Sequence, residues 1–119
     1  MRIVGLLFGL FVLASPSFGA GAPIALQAPT VMLAPGHLVV QTVVEPDSAN
    51  RAIQVIAESP DMYQSSQVQL DGSTAPRRHT FEFKDLPGGS YEIHATLLGV
   101  DGQQRALVVQ KLEVITHVH

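Results

Sequence analysis

The chain has 119 residues, of which 14% are charged, with a formal net charge of −3 and no cysteine. Because basic residues are few and form no run, the composition argues against nucleic acid and anionic membrane surfaces as partners. The lack of cysteine excludes disulfides, thiolate metal sites and a cysteine nucleophile, so packing alone must hold this single small domain together.

The first twenty residues have the organisation of a secretory signal peptide. Arg2 is followed by an uncharged apolar run from Ile3 to Ala14 and then by small residues. The run is shorter than the about 20 residues that a transmembrane helix needs. We therefore predict a signal peptide at 1–20, cleaved near Gly19 or Ala20, and a periplasmic or secreted protein with no membrane span after cleavage. The alternative is an uncleaved N-terminal anchor.

Dense turn signals and alternating apolar and polar residues organise the remaining chain. The prolines of 21–36 predict a Pro/Gly-rich N-terminal arm, in which 30–34 is a candidate edge strand. Alternation with period two favours strands throughout 37–116, and no segment has the period of an amphipathic helix. We predict an all-β domain at 37–116, an antiparallel Ig-like β-sandwich of six or seven strands, followed by a C-terminal tail at 117–119.

The segment LPGGSY, from Leu86 to Tyr91, resembles the L-P-x-G-x-Y corner of bacterial extracellular β-sandwich modules. These modules include carboxypeptidase-regulatory-like, collagen-adhesin B-type and fibronectin III or Ig-like domains. The resemblance implies glycines with positive φ, and a tyrosine whose ring enters the core while its hydroxyl bonds to nearby backbone. The chain departs from these families in having no tryptophan and no cysteine pair. Its only lysines, Lys84 and Lys111, come too late in the chain for the isopeptide crosslink of the collagen adhesins.

The same glycine loop does not have the features of a phosphate-binding loop. It lacks the G-x-x-x-x-G-K-[ST] spacing, and no helix is predicted after it to present N–H groups to an anion. We therefore predict no nucleotide site.

The five histidines raise the question of a metal site. His117 and His119 form an H-x-H pair, and alternate residues of a strand share a face, so both imidazoles can reach one ion. Two ligands are too few for a closed site, and a mobile tail fits the same residues. His94 is predicted on the outer face, and nothing brings His37 or His79 near the tail. We predict no metal ligand and no cofactor, with a periplasmic Cu- or Zn-binding protein as the alternative.

The sequence shows no arrangement of residues that is typical of catalysis. Glu82, Glu92 and Glu113 are predicted as solvated, outward-facing positions on strands. Asp71-Gly72 and Asp101-Gly102 are predicted as hairpin turns. Because a small sandwich rarely provides a cleft between elements, we predict no catalytic residue and no enzyme activity.

The function that these patterns favour is a secreted or periplasmic, non-catalytic binding or accessory module of unknown ligand. It would pair with another envelope or extracellular protein or polymer through loops or an edge strand. The alternatives are the metal-binding protein and, third, a small hydrolase or inhibitor.

Overall fold

A computed structural model describes residues 23–116, so the predicted signal peptide and the tail at 117–119 lie outside the described residues. Eight strands follow one another in this part of the chain: β1 (Ile24–Gln27), β2 (Val31–Leu33), β3 (Gly36–Val44), β4 (Ala52–Ser59), β5 (Met62–Gln69), β6 (Arg78–Leu86), β7 (Gly89–Leu98) and β8 (Gln104–Ile115). The helical elements described are two three-residue 3-10 turns, at Gly72–Thr74 and Val100–Gly102. Within 23–116 no helix is long and apolar enough to cross a bilayer.

The strands form two sheets of unequal size. The smaller sheet is antiparallel with the order β1-β3-β6, and the larger has the order β2-β8-β7-β4-β5, in which β2 runs parallel to β8. The prediction of an all-β fold is confirmed. The prediction of a purely antiparallel sandwich is wrong, because β2 makes the larger sheet mixed. The predicted domain contains six strands, β3 to β8, as expected, and two short strands precede it.

Both short strands lie in the predicted N-terminal arm, where the candidate edge strand at 30–34 is confirmed as β2, whereas β1 and the parallel pairing of β2 were not predicted. Its prolines, Pro23, Pro29 and Pro35, stand before β1, between β1 and β2, and after β2. Proline cannot donate to a ladder, so it limits the length of a strand without preventing one. Short edge strands on both sheets therefore lie within residues 24–33.

The core lies between the two sheets, and the alternation of the strands determines which side chains enter it. Ile53, Val55 and Ala57 of β4 face inward as the period of two predicts. Complete burial of each large apolar side chain contributes about 1.5–3 kcal/mol. The largest of the fully buried apolar side chains are Tyr91, Ile24, Leu26, Leu38, Ile53, Leu86, Ile93, Leu97 and Leu112.

The predicted tyrosine corner is confirmed. Tyr91 is 1% exposed, and its hydroxyl donates a hydrogen bond to the carbonyl oxygen of Pro87 at 2.7 Å. Of the two glycines, Gly89 has a positive φ, at +155°, whereas Gly88 does not. The backbone of Gly89 thus turns the chain into β7, and the buried ring of Tyr91 holds the turn in place.

Of the two hairpin turns predicted at Asp-Gly dipeptides, one is confirmed and one is wrong. Asp101 and Gly102 have φ values of +62° and +74° and close the β7–β8 hairpin, as predicted. The prediction of a hairpin at Asp71-Gly72 is wrong, because β5 and β6 belong to different sheets and this segment crosses between them. A dipeptide that favours a tight turn does not determine whether the strands on either side pair.

A buried polar network ties the β3–β4 connection to the start of β8. Asn50 is 1% exposed; its amide nitrogen donates to the carbonyl oxygen of Glu45 at 3.0 Å, and its amide oxygen accepts from the Arg105 guanidinium. Arg105 also pairs with Asp47 at 3.4 Å. The backbone N–H of Ala49 and the charge of Arg105 hold the pKa of Asp47 below its usual value of 3.8.

Replacing Tyr91 by phenylalanine is expected to lower the free energy of unfolding by about 1 kcal/mol at neutral pH, through the loss of one hydrogen bond. Burial raises the pKa of Tyr91 above its usual value of 10.0. The folded protein therefore keeps the phenol neutral while the unfolded chain ionises it. The stabilisation that comes from the hydrogen bond of the neutral phenol is fully present below the pKa that Tyr91 has in the unfolded chain. It is lost as the pH rises from about 10 toward the pKa of Tyr91 in the folded protein.

Urea denaturation at pH 7 and above pH 10 checks this prediction. The wild type should lose more stability than Tyr91→Phe on the alkaline side, so the two proteins converge there. An unchanged difference between them at both pH values would contradict the prediction.

Candidate functional site

The outer face of the five-stranded sheet carries a row of polar side chains set by the strand register. Glu58 of β4 lies opposite Glu92 of β7 on one side and opposite Tyr63 of β5 on the other. Glu92 lies opposite Lys111 of β8. Residues opposite each other on one face of an antiparallel pair have Cβ atoms about 4.5–5.5 Å apart. Two carboxylates are thereby held side by side on a rigid sheet.

His94 joins these two carboxylates, and the three residues are called here the Glu58–Glu92–His94 cluster. His94 comes two residues after Glu92 on the same face of β7, so their side chains are neighbours. Its Nε2 atom lies 3.1 Å from Oε1 of Glu92 and 3.5 Å from Oε2 of Glu58. One ligand atom from each of the three residues lies within 4.8 Å of the others.

The electrostatics of the cluster favour a cation. Like charges directly opposite each other on a sheet destabilise it, so Glu58 and Glu92 repel each other unless a positive group lies between them. His94 is less exposed than its partners, with 25% of its side-chain surface accessible against 44% for Glu58 and 51% for Glu92. Lys111, opposite Glu92, relieves part of this repulsion, and a cation bound between the two carboxylates would relieve more.

A cleft of about 420 Å³ borders the cluster and is called here the carboxylate cleft. Three carboxylates and one ammonium group line it, and Ser90 donates a hydrogen bond to Glu113 at its rim. The buried corner thus positions part of the cleft, since Ser90 and Tyr91 follow directly after Gly89. The lining residues are Glu58, Ser59, Pro60, Ser90, Tyr91, Glu92, Lys111 and Glu113.

The structure separates the predicted histidine candidates. His94 faces outward, as predicted. His37 and His79 belong to the other sheet, where His37 lies 3.4 Å from Glu82 and His79 Nε2 lies 2.8 Å from the carbonyl oxygen of Pro76. His117 and His119 lie outside the described residues.

The cluster was not predicted, although the sequence contains part of the signal for it. The motif Glu92-x-His94 in a predicted strand already implies two ligand groups on one face. Glu58 could not be found in this way, because its place beside Glu92 depends on the register between β4 and β7. The predicted outward positions of Glu82, Glu92 and Glu113 are confirmed.

Solved structures with the same fold include superoxide reductases. A variant of the superoxide reductase (neelaredoxin) from Ignicoccus hospitalis is similar over 98% of this chain and 100% of its own, with a TM-score of 0.58 and 17% identity. A second structure of that protein is similar over 79% of this chain and 80% of its own, with a TM-score of 0.53 and 16% identity.

A third similar structure is a family 76 glycoside hydrolase from Bacteroides thetaiotaomicron. It has a TM-score of 0.54 and 14% identity over 79% of this chain but only 20% of its own length. No family model matches the sequence, and no curated protein matches it significantly. At these identities the similarity shows the fold alone.

These comparisons correct the prediction that the domain is not an enzyme. That prediction was based on architecture, and it is wrong on that ground, because superoxide reductases, which are enzymes, share the architecture. A cleft is also present, although it lies on the surface of the five-stranded sheet and not between the two sheets. The resemblance to bacterial sandwich modules is confirmed at the level of an all-β, two-sheet domain, and the Ig-like or fibronectin III-like assignment stays a prediction.

Proposed function

We propose that this protein is an exported metal-binding domain that holds one divalent transition-metal ion with Glu58, Glu92 and His94. The observation that carries the proposal is the convergence of three ligand atoms from paired strands within 4.8 Å. We infer export from the signal-like segment at 1–20. We infer membership of the bacterial Ig-like or fibronectin III-like modules from the LPGGSY corner.

The donor set fits such an ion in chemistry and in spacing. Imidazole with carboxylates suits Zn²⁺ and other first-row divalent ions, whereas Cu⁺ prefers sulfur ligands. Donor atoms that share one tetrahedral ion at about 2.1 Å lie about 3.4 Å from each other. The distances from His94 Nε2 to the two carboxylates, 3.1 and 3.5 Å, fall on either side of that spacing. Two carboxylates and a neutral imidazole together match the charge of a divalent ion.

The number of ligands and the surroundings favour a site that is open to small molecules. Three protein ligands leave at least one coordination position for water or substrate, as in catalytic rather than structural zinc sites. The cluster borders the carboxylate cleft on an accessible sheet face. The fold likeness to superoxide reductases makes consumption of superoxide by the protein loaded with a redox-active ion such as Mn²⁺ the first activity to measure, because Zn²⁺ has no redox chemistry.

Equilibrium dialysis and calorimetry with Zn²⁺, Mn²⁺ and Co²⁺ test the proposal. We expect one ion per chain. Glu92→Gln, which removes a ligand's negative charge, and His94→Ala, which removes a ligand, should each weaken binding at least tenfold. Bound Co²⁺ should also give visible absorption bands that these variants lose. Thermal unfolding of each variant without metal verifies that it is folded.

Glu82→Gln is the matched control, since Glu82 lies beside His37 on the other sheet in a similar carboxylate–imidazole pair. It should leave the affinity unchanged. Lys111→Ala should tighten cation binding by removing a positive charge from the carboxylate cleft. The proposal fails if no stoichiometric binding occurs or if His94→Ala binds as the wild type does. Binding lost only on replacing His117 and His119 would support the tail site instead.

A further inference from the structure

Within residues 23–116, one edge of the five-stranded sheet is long and uncharged, and no described strand pairs with its outer side. β5, with the sequence MYQSSQVQ, spans eight residues that include no charged residue and no proline. It pairs with β4 on one side only and ends the sheet. In an antiparallel ladder alternate residues direct their N–H and C=O groups to opposite sides, so half of the backbone groups of β5 have no partner strand among the described residues.

The other described edges are protected in the ways that natural sheets use. β1 has four residues, and β2 has three and lies between Pro29 and Pro35. β6 is long, but it carries Arg78 and Lys84 along its outer face. Short length, proline and charge all oppose pairing with another chain, and β5 has none of these features.

The side chains of β5 are also suited to a second copy of the same strand. In a two-fold antiparallel pair, residues opposite each other lie on the same face of the sheet. A pairing centred on Ser65 meets this condition and places Met62 opposite Val68 of the second copy. Both are inward-facing and partly buried against the core. The same register places Gln64 opposite Ser66 and Tyr63 opposite Gln67 of the second copy. Each of these pairs is either apolar with apolar or between groups able to hydrogen-bond, and no like charges meet.

We propose that two copies of this protein associate through antiparallel β5–β5 pairing centred on Ser65, which joins the two five-stranded sheets into one sheet of ten strands. The exposure of Tyr63, at 60%, is consistent with this, because a large aromatic side chain beside a free strand edge gains contacts with the second copy. This interface does not require the proposed metal site, although Tyr63 lies opposite Glu58 on the same sheet face.

Sedimentation velocity over a concentration series tests the association. The wild type should shift from monomer to dimer as its concentration rises. Ser65→Lys places two ammonium groups opposite each other across the two-fold axis and should weaken dimerisation at least tenfold. Thr80→Lys, which adds the same charge to the exposed outer face of β6, should leave dimerisation unchanged.

Single cysteines test the register, because the natural sequence has none. Directly opposite residues have Cα atoms about 4.5–5.5 Å apart, within the range that a disulfide spans. Under mild oxidation Ser65→Cys should form a covalent dimer rapidly, whereas Gln67→Cys, opposite Tyr63 of the second copy, should crosslink much more slowly. Faster crosslinking at Gln67→Cys would overturn this register. A protein that stays monomeric at all concentrations, or that pairs only with an added extended peptide, would overturn the proposal.

Discussion

Replacing Asn50 by alanine is expected to lower the free energy of unfolding by about 3 kcal/mol. The side chain is 1% exposed and has two hydrogen-bond partners, the carbonyl oxygen of Glu45 and the guanidinium of Arg105. Alanine removes both bonds, so the partly buried carbonyl oxygen of Glu45 loses its side-chain donor and Arg105 keeps only its 3.4 Å contact with Asp47. Each unsatisfied polar group costs about 1–3 kcal/mol, and a charged group costs more, so this loss exceeds that expected from the change in buried area.

Two variants separate the contributions of this network. Asn50→Asp keeps an oxygen acceptor for Arg105 but loses the amide donor to Glu45, so its loss of stability should be smaller than that of Asn50→Ala. Ser48→Ala, at an exposed position in the same loop, should change the free energy of unfolding by less than about 0.5 kcal/mol. Urea denaturation of the three variants provides the comparison. A loss below about 0.5 kcal/mol for Asn50→Ala would show that Asn50 does not hold the loop.

The importance of Asn50 could not be predicted from the sequence. The segment PDSAN reads as an ordinary turn, and asparagine is common in turns because its side chain bonds to local backbone. What distinguishes Asn50 is Arg105, 55 positions later in the chain, which reaches it only after β8 has paired with β7. A local pattern identifies a turn, but a contact across the fold determines which residue of the turn becomes buried.

The difference between local patterns and contacts across the fold also explains which parts of the fold could be predicted. Alternation correctly predicted strands within 37–116 and the outward positions of Glu92 and His94, because period two is a property of each strand by itself. The tyrosine corner was also predictable, since Pro87, Gly89 and Tyr91 lie within five residues of one another. The parallel pairing of β2 with β8 was not predictable, because it joins residues about 80 positions apart and leaves no local pattern.

For the candidate site, two of the four side chains could be predicted to lie together from the sequence alone. Glu92 and His94 follow the i, i+2 rule on one strand, whereas Glu58 and Lys111 come beside them through the pairing of β7 with β4 and with β8. The inference against enzyme activity failed for a related reason. It treated a small sandwich as lacking a cleft, but the carboxylate cleft forms on the sheet surface at the end of β4, not between the sheets.

Replacing Gly89 by alanine is expected to lower the free energy of unfolding by about 2 kcal/mol. Its φ of +155° lies in a region that side-chain-bearing residues rarely adopt, and such strain costs about 1–3 kcal/mol. An added Cβ would lie 3.7 Å from Cε1 of Tyr91 and 3.9 Å from Cβ of Ser59, which are ordinary contacts. The expected loss therefore comes from the backbone and not from a steric clash.

Gly102→Ala is the matched control for this prediction. Gly102 also has a positive φ, at +74°, but in the left-handed helical region, and an added Cβ there would meet no atom within 4 Å. Because the left-handed region costs a residue with a side chain about 1 kcal/mol, the control should lose roughly half as much stability as Gly89→Ala. Thermal unfolding gives the comparison, with a decrease in Tm of about 4–8 °C for each kcal/mol in a domain of this size. Equal Tm values for Gly89→Ala and the wild type would contradict the assignment of Gly89 as the residue that turns the chain into β7.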